Sequence, residues 1–310
     1  MKSEYDVIVL GGGPAGLTAG IYLGRARVDT LVLDTGTVGG QTVLSYSVAN
    51  YPGVEETSGH ALSATMLRQA RSFGATVKPY ASIESLRLDG DPKIVTLKDG
   101  TRLTSHALIV ATGGVPRKLG IPNEEELTGK GISFCATCDG DFFTDRPIAV
   151  IGGGNSALEE AQALAKYASR ITILHEFDHF QAHPWVVEEV KANPKLHFLM
   201  NQELQRFEGS EKLEHVVAKH KATGKETSVA VDGCFVFIGY IPNSRMVASM
   251  VQTNERDEII TDAALATSVP GVFAAGDVRV KRHRQITTAV ADGTIAALSA
   301  IEHLTSRPTA

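Results

Sequence analysis

Residues 6–16, Asp6-Val7-Ile8-Val9-Leu10-Gly11-Gly12-Gly13-Pro14-Ala15-Gly16, decide the fold of the first part of the chain. An apolar run typical of a parallel strand leads directly into a glycine turn, and residues 17–23 then continue as a helix. In this G-x-G-x-x-G pattern Gly11 permits a tight turn, Gly13 lets the backbone approach a pyrophosphate, and Gly16 allows close helix-to-strand packing. The stretch therefore predicts a strand, a glycine turn and a helix whose N-terminus faces an anion.

Asp34 supports this interpretation, because it directly follows the next apolar strand, residues 30–33. An acid at this place accepts a hydrogen bond from a ribose hydroxyl of an adenine dinucleotide. A tight turn between a strand and a helix is the alternative. The preceding strand, the following helix and the acid together favour a dinucleotide site.

The same arrangement recurs at residues 147–157, where Pro147-Ile148-Ala149-Val150-Ile151 precedes Gly152-Gly153-Gly154-Asn155-Ser156-Ala157 and a helix predicted to continue through Tyr167. Ala157 is an accepted variant of the third glycine. We predict a second nucleotide site here, with a relic of the fold that binds nothing as the alternative. Its candidate residues are Gly152, Gly154, Asn155, Ser156, Ala157, Glu176 and Gly239.

Composition restricts the class of protein. The 310 residues, 43% of them hydrophobic, are more than one small core needs, so two domains are expected. The 30 basic and 35 acidic residues are dispersed, which argues against nucleic acid or a membrane as the partner. No apolar run reaches the length of a membrane span, and the start leads straight into a strand, so we expect a cytoplasmic protein.

The remaining pattern predicts an α/β fold. A helix is expected at about 59–73, and a closing helix, mostly core, at about 285–304. Short alternating segments predict an antiparallel meander that returns to the sheet through residues 107–110, and a further strand and a short hairpin are expected nearer the C-terminus. The meander segments are residues 76–88, 93–97 and 101–105, the strand is 234–238, and the hairpin is about 250–263.

Between the two glycine turns lies Cys135-Ala136-Thr137-Cys138-Asp139. Two thiols separated by two residues can form and break a disulfide, and Asp139 is placed to move a proton. A structural zinc needs four ligands, and neither a second cysteine pair nor the run His175, His179, His183 completes such a set, so no metal is expected. An inert bridge would leave the flanking nucleotide units unexplained. Cys234 lies in an apolar run and is predicted to be an ordinary buried thiol.

A nucleotide unit, a dithiol and a second nucleotide unit predict electron transfer, for which a flavin is a suitable intermediary. The sequence resembles the low-molecular-weight thioredoxin reductases, within the flavoprotein disulfide reductases, over almost its whole length. The resemblance rests on Gly11 to Gly16, Gly39-Gly40-Gln41, Asn50-Tyr51-Pro52-Gly53, Ala111-Thr112-Gly113, Cys135 to Gly140, Gly152 to Ala161, Gly271 to Asp277 and Arg284-Gln285. The cysteine element just ahead of the second glycine turn is the specific part.

The resemblance implies two dinucleotide-binding, Rossmann-like domains, the second inserted into the first. FAD would lie in a discontinuous domain of residues 1–116 and 244–310, and residues 117–243 would hold the second nucleotide site and the dithiol. The implied FAD contacts are Gly11, Gly13, Pro14, Ala15, Gly16, Asp34, Gly40, Gln41, Asn50, Thr112, Gly113, Gly276, Asp277, Arg284, Gln285 and Ile286. Cys138 would be the sulfur nearer the flavin, Cys135 would attack the disulfide of a thioredoxin-like protein, and Asp139 would handle the proton. A homodimer is also implied.

The chain departs from this family at the end of strand 170–174. Members that use NADPH carry arginines there to bind the 2′-phosphate, whereas this chain has Glu176, Phe177 and Gln181. Losing charge-assisted contacts worth about 1.5–3 kcal/mol each argues against NADPH. Glu176 could instead accept the ribose 2′-hydroxyl of NADH. Electrons from ferredoxin, or a second flavin or other nucleotide in this site, are the alternatives, and a non-catalytic redox sensor is the rival from another class.

Arg279, Lys281, Arg282, His283 and Arg284 form a cationic run. One interpretation is a solvated loop with Arg284 near the flavin. The other is a docking patch for an acidic protein such as ferredoxin.

Overall fold

The computed structural model describes residues 2–45 and 48–307. The chain divides into two compact units, Met1–Val115 with Ile241–Ala310, and Pro116–Tyr240. These boundaries lie one residue (115 against 116) and three residues (240 against 243) before the predicted ones. Both units combine a largely parallel sheet with helices, which confirms the predicted α/β, Rossmann-like class.

The helices are α1 Pro14–Arg25, α2 Gly59–Ser72, α3 Glu124–Leu127, α4 Ala136–Asp139, α5 Asn155–Leu164, α6 Pro184–Ala192 and α7 Ile286–Ser306, with 3₁₀ turns at Gly40–Leu44, Gly140–Phe143 and Gly276–Val278. The strands are β1 Glu4–Leu10, β2 Thr30–Leu33, β3 Thr76–Lys78, β4 Ile83–Arg87, β5 Lys93–Leu97, β6 Arg102–Val110, β7 Gly114–Pro116, β8 Ile132–Ser133, β9 Pro147–Ile151, β10 Arg170–Leu174, β11 Leu196–Leu199, β12 Gln202–Glu208, β13 His215–His220, β14 Glu226–Ala230, β15 Gly233–Val236, β16 Tyr240–Pro242 and β17 Val272–Ala274.

The first unit is built on a sheet with the order β3-β2-β1-β6-β5-β4, in which β17 also pairs with β6. Val9 in β1 is parallel to both Val32 in β2 and Ile109 in β6. Residues 7–10 are buried because neighbouring strands and packed side chains cover them on all sides. The carboxyl ends of β1, β2, β3 and β6 consequently share one edge of the sheet, where ligands bind in open α/β folds.

The second unit contains the parallel sheet β11-β10-β9-β15-β8 and the antiparallel sheet β12-β13-β14. Side chains of α5 and α6 share a core with one face of the parallel sheet, and Phe207 and Val216 of the antiparallel sheet belong to the core on its other face. Cys234 in β15 is buried in that second core. Its position in this core confirms the predicted ordinary buried thiol, and burial raises the pKa of the thiol.

The predicted meander is wrong at its start. Residues 76–78 form β3, which pairs parallel with β2, and the chain then turns before β4. Pro79 and Tyr80 explain the break, because Pro79 has no N–H for the ladder and Tyr80 has a φ of 54°. Segments 93–97 and 102–110 do pair antiparallel, but β6 runs without interruption into the parallel part of the sheet.

Three other predicted elements need correction. Helix α5 ends at Leu164, before Tyr167, and the hairpin expected at 250–263 is reduced to one antiparallel bridge between Thr253 and Ile259. In α7 the apolar residues Ile295 and Leu298 are exposed. Small residues form the buried face instead, because a Cβ on Gly293 would lie 2.2 Å from the carbonyl oxygen of Ala15.

In the part of the chain that the structure describes, no helix has the length and apolarity needed to span a membrane.

Candidate active site

Helix α4 holds the two cysteines. Cys135 is the N-cap residue and Cys138 lies in the single helical turn, so that their sulfur atoms form a disulfide with the Cα atoms 5.3 Å apart. The backbone N–H of Cys138 donates to Sγ of Cys135 over 3.2 Å. Cys138 is exposed and Cys135 is half-buried. The sequence-predicted pair is therefore close enough to open and close with little movement of the backbone.

Asp139, directly after the second cysteine, is a half-buried carboxyl whose pKa is raised by burial. Ser133 at the end of β8 opposes this rise, because its hydroxyl donates to Oδ2 of Asp139 over 2.5 Å. The same Ser133 oxygen accepts from the backbone N–H of Cys135 over 3.1 Å. The Ser133 hydroxyl thus hydrogen-bonds to both Asp139 and the backbone of Cys135, which holds the acid and the dithiol in fixed positions relative to each other.

Three distant segments of the first unit meet around the N-terminus of α1. The 3₁₀ turn Gly40–Leu44 lies against Gly13, since a Cβ on Gly40 would be 3.2 Å from the Gly13 Cα. Similarly, a Cβ on Gly276 would be 2.9 Å from the Cβ of Ala15. Among the described residues no side chain caps α1 at Gly13, and its first turn contains no acid. The backbone N–H groups at this end are thus available for an anion such as a pyrophosphate.

The glycines of this turn differ in what a side chain would meet. A Cβ on Gly11 would lie 2.2 Å from the carbonyl oxygen of Ala111, and one on Gly16 would lie 1.8 Å from that of Gly11. A Cβ on Gly13 would have only Gly40 within 4 Å, and one on Gly113 would have no described atom within 4 Å. Gly11 and Gly16 serve packing, Gly13 faces open space at the N-terminus of α1, and Gly113, in the connection between β6 and β7, also borders open space.

Asp277 gives the clearest sign that a polar ligand belongs here. Burial raises its pKa, while the charges of Lys281 and Arg284 oppose that rise. Its Oδ1 atom is buried and finds no hydrogen-bond donor within residues 2–45 and 48–307, although Lys281 Nζ is 3.7 Å away. A buried acceptor without a donor fits a ligand that brings hydroxyl groups, as the ribityl chain of FAD does.

The other predicted FAD contacts also lie in the first unit. Asp34 accepts backbone N–H groups from Gly12 over 2.6 Å and from Gly36 over 2.7 Å, so each oxygen keeps one lone pair for a ribose hydroxyl. Asn50 Nδ2 is 3.5 Å from Oε1 of Gln285, which caps α7 just before Ile286. Further placements are Pro14 at the first position of α1, Gln41 in the 3₁₀ turn, Thr112 after β6, and Arg284 paired with the buried Glu258.

The second glycine turn has the same form within its own unit. Gly152 has a φ of 131°, and a Cβ there would lie 2.4 Å from the carbonyl oxygen of Phe237. Gly154 is the N-cap of α5, which begins with Asn155, Ser156 and the buried Ala157, and a Cβ on it would meet no described atom within 4 Å. This turn therefore also presents a helix N-terminus beside open space.

The segment that follows β10 is hydrogen-bonded to the second glycine turn and to the start of α5. The backbone N–H of Gln181 donates to the carbonyl oxygen of Gly153 over 2.8 Å, and that of His183 donates to Oδ1 of Asn155 over 2.7 Å. His175 is buried, its ring packs on Gly153 and stacks on Phe180, and burial lowers its pKa. His175 directs Nε2 toward the carbonyl oxygen of His179, and Nδ1 of His179 lies 2.6 Å from Oδ1 of Asp178.

Just after β10, the carboxylate of Glu176 forms a salt bridge. Lys221, from the turn between β13 and β14, brings Nζ to 3.2 Å from Oε2 of Glu176 and to 5.2 Å from the ring centre of Phe177. The two charged side chains are 40% and 58% exposed, so water screens the pair. Gly239, the remaining predicted residue of this site, follows β15.

Comparison with known proteins places the chain in a family. The sequence profile of the pyridine nucleotide-disulphide oxidoreductases matches residues 5–293. The chain belongs to this family. A thioredoxin reductase from Peptoclostridium acidaminophilum is 43% identical over 98% of both chains. A 34.2 kDa protein in the rubredoxin operon of Clostridium pasteurianum is 41% identical, again over 98% of both chains. The crystal structure of thioredoxin reductase from Streptococcus pyogenes is 36% identical with a TM-score of 0.94, covering 99% of this chain and all of that one.

As a pyridine nucleotide-disulphide oxidoreductase similar to thioredoxin reductases, the protein is a flavoprotein disulfide oxidoreductase, and the family implies FAD. The predicted resemblance is thereby confirmed. The uncapped α1 N-terminus, the open space at Gly13 and the donor-less Asp277 Oδ1 all fit that cofactor.

The cationic run of this oxidoreductase is not a continuous docking patch. Lys281 and Arg279 are largely buried and bind the carboxylate of Asp292, at 2.8 Å and 3.3 Å. Asp292 also accepts from the backbone N–H of Gly276 over 3.0 Å. Of the run, Arg282 and His283 are exposed. Charges committed to a buried network cannot meet an acidic partner, so the docking interpretation loses its main residues.

Sequence reasoning missed Ser133, Lys221 and Asp292. The sequence does contain a signal for Asp292, because this acid lies on the inward face of a helix that is otherwise lined by small apolar residues. It contains none for Ser133 and Lys221, because their partners Asp139 and Glu176 are set by strand pairing and by the position of a distant turn.

Proposed function

We propose that this protein reduces the disulfide of a thioredoxin-like protein through Cys135 and Cys138. The observation that carries the proposal is the dithiol in helix α4 with the raised-pKa carboxyl of Asp139 directly beside it. Bound FAD, once reduced by the electron donor, would supply two electrons, and with two protons these convert the Cys135–Cys138 disulfide into two thiols. The similarity to proteins named thioredoxin reductase supports the choice of partner.

The exchange with the partner then needs only thiol chemistry. The thiolate of Cys135 attacks the partner's disulfide, one partner sulfur leaves as a thiolate, and a mixed disulfide forms. Cys138 attacks Cys135, which re-forms the intramolecular disulfide and releases the second partner sulfur. Asp139 gives its proton to a leaving thiolate and regains one from a thiol of the pair, so that the two thiol protons end on the partner sulfurs, and the burial that raises the pKa of Asp139 favours its protonated form. The partner gains two electrons and two protons in total.

The proposed FAD site lies at the N-terminus of helix α1, in the first unit. Gly11 and Gly16 would keep the turn tight, Gly13, Ala15 and the Gly40 turn would receive the pyrophosphate, and Asp34 would accept a ribose hydroxyl. Asp277 would accept a ribityl hydroxyl. The residues proposed to border the isoalloxazine are Asn50, Thr112, Gly113, Arg284, Gln285 and Ile286.

For the electron donor we infer NADH in preference to NADPH. Glu176, just after β10, would accept a ribose 2′-hydroxyl, whereas a 2′-phosphate would meet its negative charge. Lys221 weakens this repulsion but does not reverse it, because an exposed pair contributes only about 0.2–1 kcal/mol. Reduced ferredoxin as donor, and a second flavin or other nucleotide in the second site, are the alternatives, although burial of Arg279 and Lys281 weakens the case for ferredoxin. A homodimer is also proposed, and exposed Ile295 and Leu298 on α7 are compatible with it.

Anaerobic titration and cysteine substitution test this function. The disulfide and the flavin should each accept two electrons, whereas Cys135→Ser should leave only the flavin equivalents and abolish reduction of a thioredoxin disulfide. Cys138→Ser should trap the mixed disulfide through Cys135. Trapping only by Cys135→Ser would instead make the more exposed Cys138 the attacking sulfur. Full turnover by Cys135→Ser, or a purified protein that cannot bind flavin, would reject the proposal.

A further inference from the structure

Tyr80 is an exposed aromatic residue in an unfavourable backbone conformation. Its φ is 54°, and 69% of the residue surface is open to solvent. Left-handed backbone is common for glycine and asparagine, but for a bulky residue it is an unfavourable outlier that costs free energy. A side chain that contributed to the core could offset this cost, yet the Tyr80 ring is largely outside the core. Folding alone therefore gives no reason for a tyrosine here.

The position of Tyr80 suggests what the ring is for. The residue follows β3, the neighbour of β2 in the sheet, at the edge where the carboxyl ends of the strands meet. Its backbone N–H donates to the carbonyl oxygen of Gly36 over 3.3 Å, and the next N–H, of Ala81, donates to that of Asp34 over 2.7 Å. The segment around Tyr80 is thus bound to the turn that follows β2.

The ring itself is also held at this turn. The Tyr80 hydroxyl lies 3.1 Å from the hydroxyl of Thr37, and Asp34 in the same turn accepts the backbone N–H of Gly12 in the glycine turn. Asp34 is the residue proposed to bind the ribose next to the adenine of FAD. An exposed ring whose hydroxyl is held by Thr37, three residues after that acid, offers the flat apolar face that a purine requires.

We propose that Tyr80 is the platform on which the adenine ring of FAD stacks, with Thr37 holding the tyrosine hydroxyl. This inference rests on the proposed FAD site in the first unit and adds to it a positioning residue that no glycine motif contains. Stacking on an aromatic side chain uses the π-face of the base and needs no hydrogen bond from it. The strain at φ 54° then has a role, because it accompanies a ring that stays exposed and bound to Thr37 in the turn after β2.

The test is titration of flavin-free protein with FAD and with FMN, which lacks the adenosine half. We expect Tyr80→Ala to weaken FAD binding about tenfold, within the range of about 5-fold to 150-fold that loss of one base–aromatic stack produces. Tyr80→Phe should keep FAD affinity within about twofold, since the ring remains. Thermal unfolding without flavin checks the fold, and Tyr80→Asn, a residue suited to positive φ, should unfold at or above the wild-type temperature while binding FAD weakly.

Each outcome bears on the inference. Equal FAD affinity in Tyr80→Ala and wild type would overturn it, and so would an equal loss in Tyr80→Ala and Tyr80→Phe, which would assign the effect to the hydroxyl. A matching loss of FMN affinity in Tyr80→Ala would place the effect away from the adenine and also overturn it. If wild-type protein binds no FAD, the proposed function fails instead, so the two failures are distinguishable.

Discussion

Single side chains decide how the protein moves a proton, and Asp139 is the most informative of them. Its raised pKa is caused mainly by burial, and the hydrogen bond from Ser133 lowers it again. If the protonated acid is the active form, the rate of partner reduction falls as pH rises through the Asp139 pKa. Ser133→Ala removes the bond that lowers the pKa. We therefore expect this variant to keep its activity to higher pH.

The measurement is a pH profile of single-turnover oxidation of the reduced enzyme by a thioredoxin disulfide. Asp139→Asn should remove the alkaline limb and reduce the rate by about 100-fold or more, the usual contribution of a general acid. Thr144→Ala is the control, because its hydroxyl donates to the carbonyl oxygen of Asp141 and not to Asp139. A limb that moves to lower pH in Ser133→Ala would contradict the role assigned to Asp139.

At the scale of elements, two of the three glycines of the second turn, Gly152 and Gly154, are expected to affect different properties, the first stability and the second nucleotide binding. Gly152→Ala should destabilise the protein by at least about 2 kcal/mol, because the new Cβ would meet the Phe237 carbonyl at positive φ. Gly154→Ala places a methyl group in open space and should change stability by less than about 1 kcal/mol. The same methyl group should weaken dinucleotide binding about tenfold or more.

Chemical denaturation and calorimetric titration with NADH measure these two effects. Gly154→Ala with unchanged NADH affinity would mean that the second turn does not hold a pyrophosphate. It would then be a relic of the fold, the alternative that the sequence left open.

A second prediction about the second nucleotide site concerns Lys221, in the turn between β13 and β14. Lys221→Met removes the cation beside Glu176, so a 2′-phosphate would meet an uncompensated carboxylate. NADPH affinity should fall by up to about fivefold, the equivalent of about 1 kcal/mol, while NADH affinity changes less. Lys225→Met, in the same turn, is the control. Unchanged NADPH binding by Lys221→Met would show that the pairing with Glu176 has no influence on the choice of donor, and stronger binding would contradict the expected sign.

The success of sequence reasoning also depended on the scale of the feature. The strand-turn-helix units were predictable because hydrophobic period and glycine spacing are local, and residues 6–16 contain the strand and the glycine turn of the first one. The packing of α7 was not, since alanine and glycine gave no warning that Gly293 meets Ala15 while Ile295 faces solvent. Likewise, the run Arg279 to Arg284 looked like surface charge until Asp292, eight residues beyond it, was found to pair with two of its members.

At the scale of the whole molecule, the open question is where the electrons enter. Rates of flavin reduction should be compared for NADH, NADPH and reduced ferredoxin by stopped-flow absorbance at low and high salt. We expect NADH to be faster than NADPH, because Glu176 fits a ribose hydroxyl and no arginine stands at positions 176, 177 or 181. Ferredoxin reduction, if it occurs, should be slow and only weakly dependent on salt, since Arg279 and Lys281 are buried in the Asp292 network.

Substitution of Glu176 tests the preference between NADH and NADPH directly. Glu176→Arg would replace the repelling carboxylate by a bidentate donor for a 2′-phosphate and should move the preference from NADH toward NADPH by about tenfold or more. Gly154→Ala should slow reduction by both nucleotides and leave reduction by ferredoxin unchanged. Brisk reduction of the wild type by NADPH would refute the interpretation of Glu176. Fast, strongly salt-dependent reduction by ferredoxin, untouched by Gly154→Ala, would instead make the second glycine turn dispensable for the electron supply.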